Sequence, residues 1–288
     1  MQITTADVLG GRVRILESGE GGADPVLLIH GVGGWAENWR TTLDAIAACG
    51  RRGIAPDLPG FGESSAAPRA AYFDPDGAFY ARFVLGLLDR LGVARAHIVG
   101  HSLGGAIAYI SAVTAPERFA SLTLVAGGGL GVEVPLSFRI ATLPGAAMLA
   151  GLDRRRYARA ALESCFYDTR SIPATLLREA DFYGARSLPE SIAVLRAGVT
   201  LRGVKRSLRE AWLRRASRFK GPVLIIWGTA DRVLPASNAA AAARLFPGAE
   251  VRMIERAGHL VMVEQAEAFA RSLLPFLDRS GSAVARTA

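Results

Sequence analysis

Apolar and polar positions follow two distinct patterns along the first half of the chain. Short, continuous apolar runs that end in glycine, proline or a polar residue are typical of buried parallel strands. Such runs predict strands at residues 26–30, 53–57, 96–100 and 121–125. Helical spacing of apolar residues predicts helices over 35–50, over 77–92 and from Leu103 onward. This alternation predicts an α/β fold with a mostly parallel sheet flanked by helices.

The second half of the chain interrupts the alternation and then resumes it. A strand is predicted again at 221–227, followed by a helix over 236–246 and a strand at 250–255. The roughly 90 residues before it are helix-like and rich in Arg and Leu, whereas most connections span about 2–6 residues. We interpret these residues as an inserted helical cap.

The predicted domain organisation follows from this interruption. One core is built from residues 1–131 and 219–279, and the helical cap, or lid, occupies residues 132–218. The last residues, 280–288, are small and polar, so we predict a disordered tail there.

Composition narrows the class of protein. Of the 288 residues, 50% are hydrophobic and 21% are charged, which is typical of a globular chain rather than a disordered one. Cys49 and Cys165 are too few for a disulfide framework or a cysteine zinc site, so no metal is expected. The first residues lack the pattern of a signal peptide, and no apolar run approaches the ~18 residues of a membrane span. We therefore expect a soluble protein in the reducing cytoplasm.

The net charge of +8 raises the question of an anionic partner. Residues 132–218 contain 16 basic and 8 acidic residues, whereas the rest of the chain is balanced, so the excess lies in the predicted cap. The basic runs are not interleaved with aromatic residues, so nucleic acid is not an expected partner. Two interpretations stay open: a solvated lid surface, or attraction of an anionic substrate or an acidic acyl-carrier partner to the pocket.

The strongest motif is Gly-His-Ser-Leu-Gly at residues 100–104, between a predicted strand and a predicted helix. A serine on such a sharp turn has its hydroxyl pushed clear of the sheet, and the residues two before and two after it must be small. Gly100 and Gly104 meet that requirement. The N-terminus of the following helix favours developing negative charge at the same place. Ser102 is therefore the candidate nucleophile, and the alternative is a glycine-rich turn with an incidental serine.

A serine nucleophile needs a base, and the chain contains four histidines. His259 is the candidate because it follows the last predicted strand, at the sheet edge where such folds place reacting groups. The remaining three, His30, His97 and His101, are expected to be structural. His101 lies within the serine turn and is expected to point away from Ser102.

The base in turn needs a carboxylate that orients it and stabilises the imidazolium. Asp231 follows a predicted strand, and the order Ser, Asp, His is that of hydrolases with this serine turn. Its alternative role is that of a turn residue paired with Arg232. Glu264 and Glu267, on the helix after His259, are alternative carboxylates that we expect to face solvent.

Acyl transfer also needs two backbone N–H groups that bind the oxyanion. The amide of Leu103, directly after Ser102, is one candidate. The second is the amide of Val32, in the glycine-rich loop after the first predicted strand.

Five motifs together resemble the α/β-hydrolase superfamily across nearly the whole chain. They are His-Gly-Val-Gly-Gly at 30–34, Asp-Leu-Pro-Gly-Phe-Gly-Glu-Ser at 57–64, Gly-His-Ser-Leu-Gly-Gly at 100–105, Gly-Thr-Ala-Asp at 228–231 and Gly-His at 258–259. The resemblance implies an eight-stranded sheet, an acyl pocket covered by the helical cap, and no cofactor. It also implies that Gly31, Trp35 and the cap line that pocket.

A rival motif overlaps the first of these five. Residues 31–36 also read as G-x-G-x-x-A after a strand, and Asp57 follows about twenty residues later, as in dinucleotide-binding folds. That interpretation explains neither the Ser102 turn nor the pair of Asp231 and His259. We therefore expect no dinucleotide.

The sequence predicts a serine hydrolase that cleaves a small-molecule carboxylic ester through an acyl-enzyme. By the same resemblance, relatives that act on halides or epoxides carry Asp in place of Ser102, which argues against both activities. One alternative is hydrolysis of a carbon–carbon bond in a ring-cleavage diketone, with which the stretch from Trp35 to Trp39 is compatible. Such enzymes usually carry tryptophan just after the histidine, where this chain has Leu260. Another alternative is a ligand receptor that keeps the triad and turns over slowly.

Overall fold

An eight-stranded sheet forms the centre of the fold. The computed structural model describes residues 1–21, 24–72, 74, 77–129 and 134–282. The described strands are, in chain order, β1 Gln2–Val8, β2 Gly11–Ser18, β3 Val26–Ile29, β4 Gly53–Pro56, β5 Ala96–His101, β6 Phe119–Val125, β7 Val199–Thr200, β8 Gly203–Val204, β9 Val223–Gly228 and β10 Glu250–Ile254. β7 and β8 form a small separate hairpin, and the other strands lie in the spatial order β1-β2-β4-β3-β5-β6-β9-β10.

Strand direction in the main sheet is parallel except at one edge. β1 pairs antiparallel with β2, and β2 pairs antiparallel with β4. The pairs from β4 across to β10 are all parallel. The mostly parallel, eight-stranded α/β sheet expected from the sequence is therefore confirmed.

Helices cover the sheet and form the segment between β6 and β9. The described α-helices are α1 Arg40–Ala48, α2 Arg69–Tyr72, α3 Ala78–Arg90, α4 Leu103–Thr114, α5 Leu136–Ala141, α6 Ala146–Leu152, α7 Arg154–Ser164, α8 Ala174–Glu179, α9 Leu188–Gly198, α10 Arg206–Leu213, α11 Ser237–Leu245, α12 Val261–Glu264 and α13 Ala266–Ser282. A 3₁₀ turn at Ala36–Trp39 precedes α1, and a π-helical turn at Ala180–Gly184 continues α8. No helix among the described residues has the length and apolarity needed to cross a membrane.

Both faces of the sheet are buried, which explains why its central strands are continuously apolar. On one face, Phe83 of α3 and Tyr109 of α4 are completely buried in the core. On the other face, Leu43 of α1 and Phe269 of α13 take the same role. The sheet and the helices on its two faces form three layers, as the alternation of strands and helices in the sequence predicted.

The first two strands were not predicted from the apolar runs. β1 alternates exposed and buried residues because it lies at the edge of the sheet, and its polar positions break up the continuous apolar pattern. Sequence reasoning that searches for continuous apolar strands therefore misses an antiparallel edge strand.

The helical segment, a name used below for residues 134–218, lies in the chain between β6 and β9. It contains α5 to α10 and also the β7–β8 hairpin, which the helical spacing did not indicate. Residues 132 and 133, at the predicted start of the cap, lie outside the described residues.

The carboxyl-terminal helix is longer than the sequence predicted. α13 extends to Ser282, and Ser280 is buried with its hydroxyl donating to the carbonyl oxygen of Phe276 at 2.7 Å. Residues 280–282 therefore belong to a helix, and the prediction of a tail beginning at 280 was wrong there, because a small polar side chain fits where the helix packs on the core. Residues 283–288 of the predicted tail lie outside the described residues.

Candidate active site

Ser102 occupies the sharp turn between β5 and α4. Its backbone has a φ of 53° and a ψ of −116°, a conformation that non-glycine residues rarely adopt. Three backbone hydrogen bonds hold it there: its N–H donates to Val125, and its carbonyl oxygen accepts from Gly105 and Gly128, at 2.8 to 2.9 Å. Strain that the surroundings maintain in this way is typical of functional positions.

The glycines around Ser102 are required by close contacts. A Cβ atom at Gly100 would lie 2.1 Å from the carbonyl oxygen of Gly104. A Cβ atom at Gly104 would lie 2.2 Å from the carbonyl oxygen of Ile29 in β3. The expectation that both positions must be very small is confirmed, because the turn closes directly onto the neighbouring strand.

His259 and Asp231 are in direct contact. His259 Nδ1 lies 2.7 Å from Asp231 Oδ2, and both side chains are buried. The other carboxylate oxygen of Asp231 accepts hydrogen bonds from the backbone N–H groups of Val233 and Leu234, each at 2.8 Å. Because the carboxylate accepts from Nδ1, the proton of the neutral imidazole lies on that atom and Nε2 carries the free lone pair.

Glu264 does not take the role that the sequence left open for it. Its carboxylate accepts from three backbone N–H groups, those of Gly258 at 2.6 Å, Asp168 at 2.8 Å and Tyr167 at 3.0 Å. The expectation that it faces solvent was wrong, since it joins the loop before His259 to the helical segment. Glu267, by contrast, is exposed and pairs with Arg271 one turn further along α13.

His101 lies against His259 rather than away from the site. The two ring centroids are 4.6 Å apart, and His101 Nε2 donates to the carbonyl oxygen of His259 at 3.1 Å. Burial, followed by the neighbouring His259, lowers the pKa of His101 well below its usual value. His101 is thus a neutral donor that holds the backbone of His259, and it lines the same cavity as Ser102.

A cavity of about 320 Å³ lies between the ends of the central strands and the helical segment. Ser102 and His259 both line it, as do the predicted residues Gly31, Val32 and Trp35. The helical segment contributes mostly apolar side chains, among them Phe138, Leu162, Leu188, Ile192 and Leu195. Of the described residues that line it, none is Lys, Arg, Asp or Glu.

The loop after β3 is held in place by hydrogen bonds of its first residue, His30. His30 Nδ1 donates to the carbonyl oxygen of Gly31 at 2.8 Å, and its Nε2 accepts from the N–H of Leu58 at 2.9 Å. Burial lowers the pKa of His30, which keeps Nε2 available as an acceptor. The structural role expected for His30 is therefore confirmed: it orients the loop that carries Val32.

Asp57 and Arg14 complete the support of this loop. Asp57 is completely buried, and its carboxylate accepts from Ala36 N–H at 2.8 Å and lies 3.2 Å from Arg14 Nη1. Arg14 also pairs with Glu37, in the same loop. With its oxygens taken by Ala36, Arg14 and Glu63, Asp57 is not presented to a ribose, which removes the dinucleotide interpretation. Sequence reasoning missed Arg14, because a charged residue between the apolar Val13 and Ile15 is the usual pattern of a solvent-facing strand position.

Three further contacts join the helical segment to the core, at the loop after β3, at α1 and at the loop after β4. Glu179 accepts from the indole N–H of Trp35 at 3.1 Å and pairs with Arg40 at 2.8 Å. Tyr183 donates its hydroxyl proton to Glu63 at 2.9 Å. These contacts join the helical segment to the core beside the cavity. Nothing in the local sequence pattern indicated them.

The remaining histidine lies outside the site. His97 is buried within β5, where its Nδ1 contacts the hydroxyl of Ser121 at 2.8 Å. Its expected structural role is confirmed. Among the residues that the structure describes, no cluster of three His, Cys, Asp or Glu side chains is arranged to hold a metal ion.

Comparison with known proteins identifies the same architecture. The chain is 35% identical over 283 residues to the dihydrolipoyllysine-residue acetyltransferase component of the acetoin cleaving system of Pseudomonas putida, a match covering 94% of this chain and 68% of that protein. It is 31% identical over 278 residues to the 2-hydroxy-6-oxo-6-phenylhexa-2,4-dienoate hydrolase of Burkholderia cepacia, covering 92% of this chain and 91% of that one.

Solved structures and a family model agree with these relatives. The crystal structure of a membrane phospholipase A, described as a bacterial virulence factor, superimposes with a TM-score of 0.77 and 26% identity, covering all of this chain and 87% of the other. A family model described as the alpha/beta hydrolase fold matches residues 24–266. The chain, with its strained serine turn and eight-stranded sheet, therefore belongs to the alpha/beta hydrolase family.

Proposed function

We propose that this hydrolase cleaves neutral carboxylic esters through an acyl-enzyme, with Ser102, His259 and Asp231 as its catalytic residues. One observation carries the proposal: His259, hydrogen-bonded to Asp231, lines the same cavity as a serine held in a strained turn. This arrangement supplies a nucleophile, its base and the group that orients the base.

The first half of the proposed reaction forms the acyl-enzyme. Ser102 Oγ attacks the ester carbonyl carbon while His259 Nε2 takes the hydroxyl proton. The tetrahedral intermediate collapses by breaking the bond to the alcohol oxygen, and His259 returns its proton to that leaving alkoxide. Asp231 keeps its charge throughout and stabilises the imidazolium through Nδ1–H.

The second half hydrolyses the acyl-enzyme by the same steps. His259 Nε2 takes a proton from water, whose oxygen attacks the acyl carbon. Collapse of this intermediate breaks the bond to Ser102 Oγ, which recovers its proton from His259. The products are the free carboxylic acid and the regenerated serine.

Two backbone amides are proposed to bind the oxyanion in both halves. Leu103 is the first residue of α4, so its N–H has no acceptor within the helix. Val32 lies in the loop held by His30 and Asp57, and it lines the cavity. A preorganised pair of donors of this kind stabilises the tetrahedral intermediate more than the flat ester carbonyl.

The cavity supports a neutral, largely apolar substrate. Its volume of about 320 Å³ is at the small end of ligand pockets, and Gly31 and Trp35 are placed to contact the bound ester. Burying a carboxylate among these side chains would be costly, because no cationic side chain is among the described lining residues. The basic residues of the helical segment therefore do not form the wall that meets the acyl group.

Carbon–carbon bond hydrolysis is the second candidate, since the Burkholderia cepacia relative is named for it. The name of that substrate, a dienoate, specifies a carboxylate. The described lining residues include no Lys or Arg that would pair with a carboxylate, and Leu260 follows the histidine; both observations favour an ester over such a compound here. The coarse chemistry, attack at a carbonyl carbon, is common to both.

Hydrolysis of p-nitrophenyl esters of increasing acyl length tests the proposal. We expect turnover on short and medium acyl chains within the usual range of roughly 1–1000 per second. Ser102→Ala should abolish ester turnover. Ser111→Ala, which alters a buried serine of α4 that does not line the cavity, should leave turnover unchanged.

Three results would contradict ester hydrolysis. One is rapid consumption of 2-hydroxy-6-oxo-6-phenylhexa-2,4-dienoate without ester turnover, which would establish the second candidate. Another is turnover far below 1 per second on every compound with tight binding, which would indicate a receptor. The third is full activity in Ser102→Ala, which would exclude the nucleophile itself.

A further inference from the structure

The outer surface of the helical segment contains an apolar helix with no polar side. All seven residues of α6 are Ala, Met, Leu or Gly, yet the helix lies at the surface. Met148, Leu149 and Leu152 are 70%, 65% and 81% exposed. A helix that is hydrophobic on every side is normally buried, so this one lacks its usual cover.

Neighbouring residues extend this surface into a patch. Leu136 and Ile140 of α5 and Leu143, which precedes α6, are also exposed, and α5 and α6 pack against each other and against α9. The apolar face, as we define it, consists of Leu136, Ile140, Leu143, Met148, Leu149 and Leu152. Concentrated exposed apolar surface of this kind marks an interaction site, whereas single exposed residues do not.

Charge beside the apolar face indicates the chemistry of its partner. Arg154, Arg155 and Arg156 follow Leu152 after a single residue and are all exposed. A second copy of this chain would bring its own arginines toward these, which opposes self-association through the face. A partner with both apolar and anionic groups, by contrast, covers the apolar residues and pairs with the arginines.

We propose that the apolar face and Arg154–Arg156 form a docking surface for an anionic lipid membrane. Lipid chains cover leucine and methionine without needing hydrogen-bond partners, which suits a helix that has no polar side chain. The adjacent arginines then pair with lipid phosphates, and their attraction falls off with salt.

The position of the face relative to the cavity gives docking a consequence. Phe138 of α5 and Tyr157 of α7 line the cavity, so one helix of the apolar face and the helix that begins with the three arginines also form part of the cavity wall. Docking would bring that wall to the lipid surface, where apolar esters partition. Supply of substrate in this way rests on the proposed ester hydrolysis, whereas docking itself does not depend on any reaction.

Co-sedimentation with vesicles tests docking independently of catalysis. The Ser102→Ala variant of the full chain is mixed with vesicles of phosphatidylcholine and phosphatidylglycerol, or of phosphatidylcholine alone. We expect binding to the anionic vesicles that weakens as salt is raised. Replacing Arg154, Arg155 and Arg156 by Ser should lower the partition coefficient about tenfold or more.

A pair of double variants separates the apolar contribution from general surface effects. Leu149→Glu with Leu152→Glu should abolish binding, because it places carboxylates in the lipid-facing helix. Ile3→Glu with Met253→Glu changes two exposed apolar residues on the edge strands β1 and β10 and should bind as the parent does. Circular dichroism and thermal unfolding of each variant establish that it is folded.

Several outcomes would overturn the proposal. Absence of binding to anionic vesicles would do so, as would equal binding by the Leu149/Leu152 and the control variants. A dimer in sedimentation equilibrium that the Leu149/Leu152 variant dissociates, without vesicle binding, would show that a second copy covers the face. Binding of an acidic acyl-carrier protein but not of vesicles would assign the face to a protein partner instead.

Discussion

Asp57 Oδ1 accepts a hydrogen bond from the backbone N–H of Ala36 at 2.8 Å, so a buried carboxylate after β4 holds the loop that follows β3. The same carboxylate contacts Arg14 and the N–H of Glu63 through its other oxygen. The loop it holds carries Val32, the proposed oxyanion donor. The ion pair of Asp57 and Arg14 thus helps to hold the loop that carries the proposed oxyanion donor.

Asp57→Ala is expected to destabilise the protein. Removing one partner of a buried ion pair leaves Arg14 incompletely compensated, at a cost of about 3 kcal/mol in the free energy of unfolding. Urea denaturation measures this change. Asp89→Ala removes an exposed carboxylate that pairs with Arg118, and it should cost no more than about 1 kcal/mol. Equal losses in the two variants would contradict the supporting role of Asp57.

Asp231→Asn is expected to reduce kcat on esters by about 10⁴-fold while the protein stays folded. The asparagine oxygen can still accept from Val233 and Leu234, but its amide no longer selects the Nδ1–H tautomer of His259. Steady-state kinetics with a p-nitrophenyl ester measures the loss. Asp153→Asn, which keeps a cap at the start of α7, serves as the matched control and should retain activity. A loss below tenfold in Asp231→Asn would argue against this carboxylate as the orienting group.

Glu264→Gln is expected to lower both stability and activity. The glutamine side chain has one acceptor oxygen where the carboxylate has two, so it cannot satisfy the three N–H groups of Gly258, Tyr167 and Asp168. We expect a loss of about 1–3 kcal/mol and a reduced kcat, because the loop of His259 loses its anchor.

Glu267→Gln provides the comparison for this effect. The side chain of Glu267 is 86% exposed and pairs with an arginine on its own helix, so its replacement should change stability by less than about 0.5 kcal/mol. Thermal unfolding and ester kinetics on both variants test the difference. Indistinguishable behaviour would show that the anchor at Glu264 is dispensable.

His97 is expected to make stability depend on pH. Burial, with help from Arg51 and Arg95, lowers its pKa in the folded protein from 6.5 to about 4. Between these values the unfolded chain binds a proton that the folded chain does not, so stability is lost as pH falls from 6.5 toward 4. The effect of this one residue is about 3 kcal/mol.

The His97→Gln variant measures this contribution by difference. Its free energy of unfolding, determined in urea across the same pH window, should fall less steeply with decreasing pH than that of the parent. His30 and His101 are present in both proteins, so their contributions are expected to cancel in this difference. Parallel curves for the two proteins would mean that folding does not lower the pKa of His97, which would contradict the prediction.

Local sequence patterns predicted much of the site, for identifiable reasons. Ser102 was recognisable because its turn requires glycine at two nearby positions, and that constraint acts within five residues of chain. His259 and Asp231 were recognisable because each follows a predicted strand, and parallel strands bring their carboxyl ends to one edge. We expected Asp231 to pair with His259, and in the structure their side chains lie 2.7 Å apart.

Other parts of the site had no local signature. Glu264 looked like a solvent-facing helix residue because helical spacing says which side of a helix is polar, not which backbone lies beside it. The exposure of the apolar face was not predictable for a similar reason, since apolar residues at helical spacing normally indicate a buried side of a helix. Only the tertiary structure shows that the described residues leave Met148, Leu149 and Leu152 of α6 exposed.

The sequence by itself determined the α/β alternation, the serine turn and the identity of the residues that follow each strand, because these depend on periodicity and backbone sterics over short stretches. Tertiary structure alone decided that Arg14 meets Asp57, that Glu264 holds the loop of His259, and that no Lys, Arg, Asp or Glu is among the described residues that line the cavity. These depend on which strands become neighbours and on how the helical segment settles over them. Arg14 and Asp57 are 43 positions apart, and Glu264 is 97 positions from Tyr167, so no local pattern specifies these contacts.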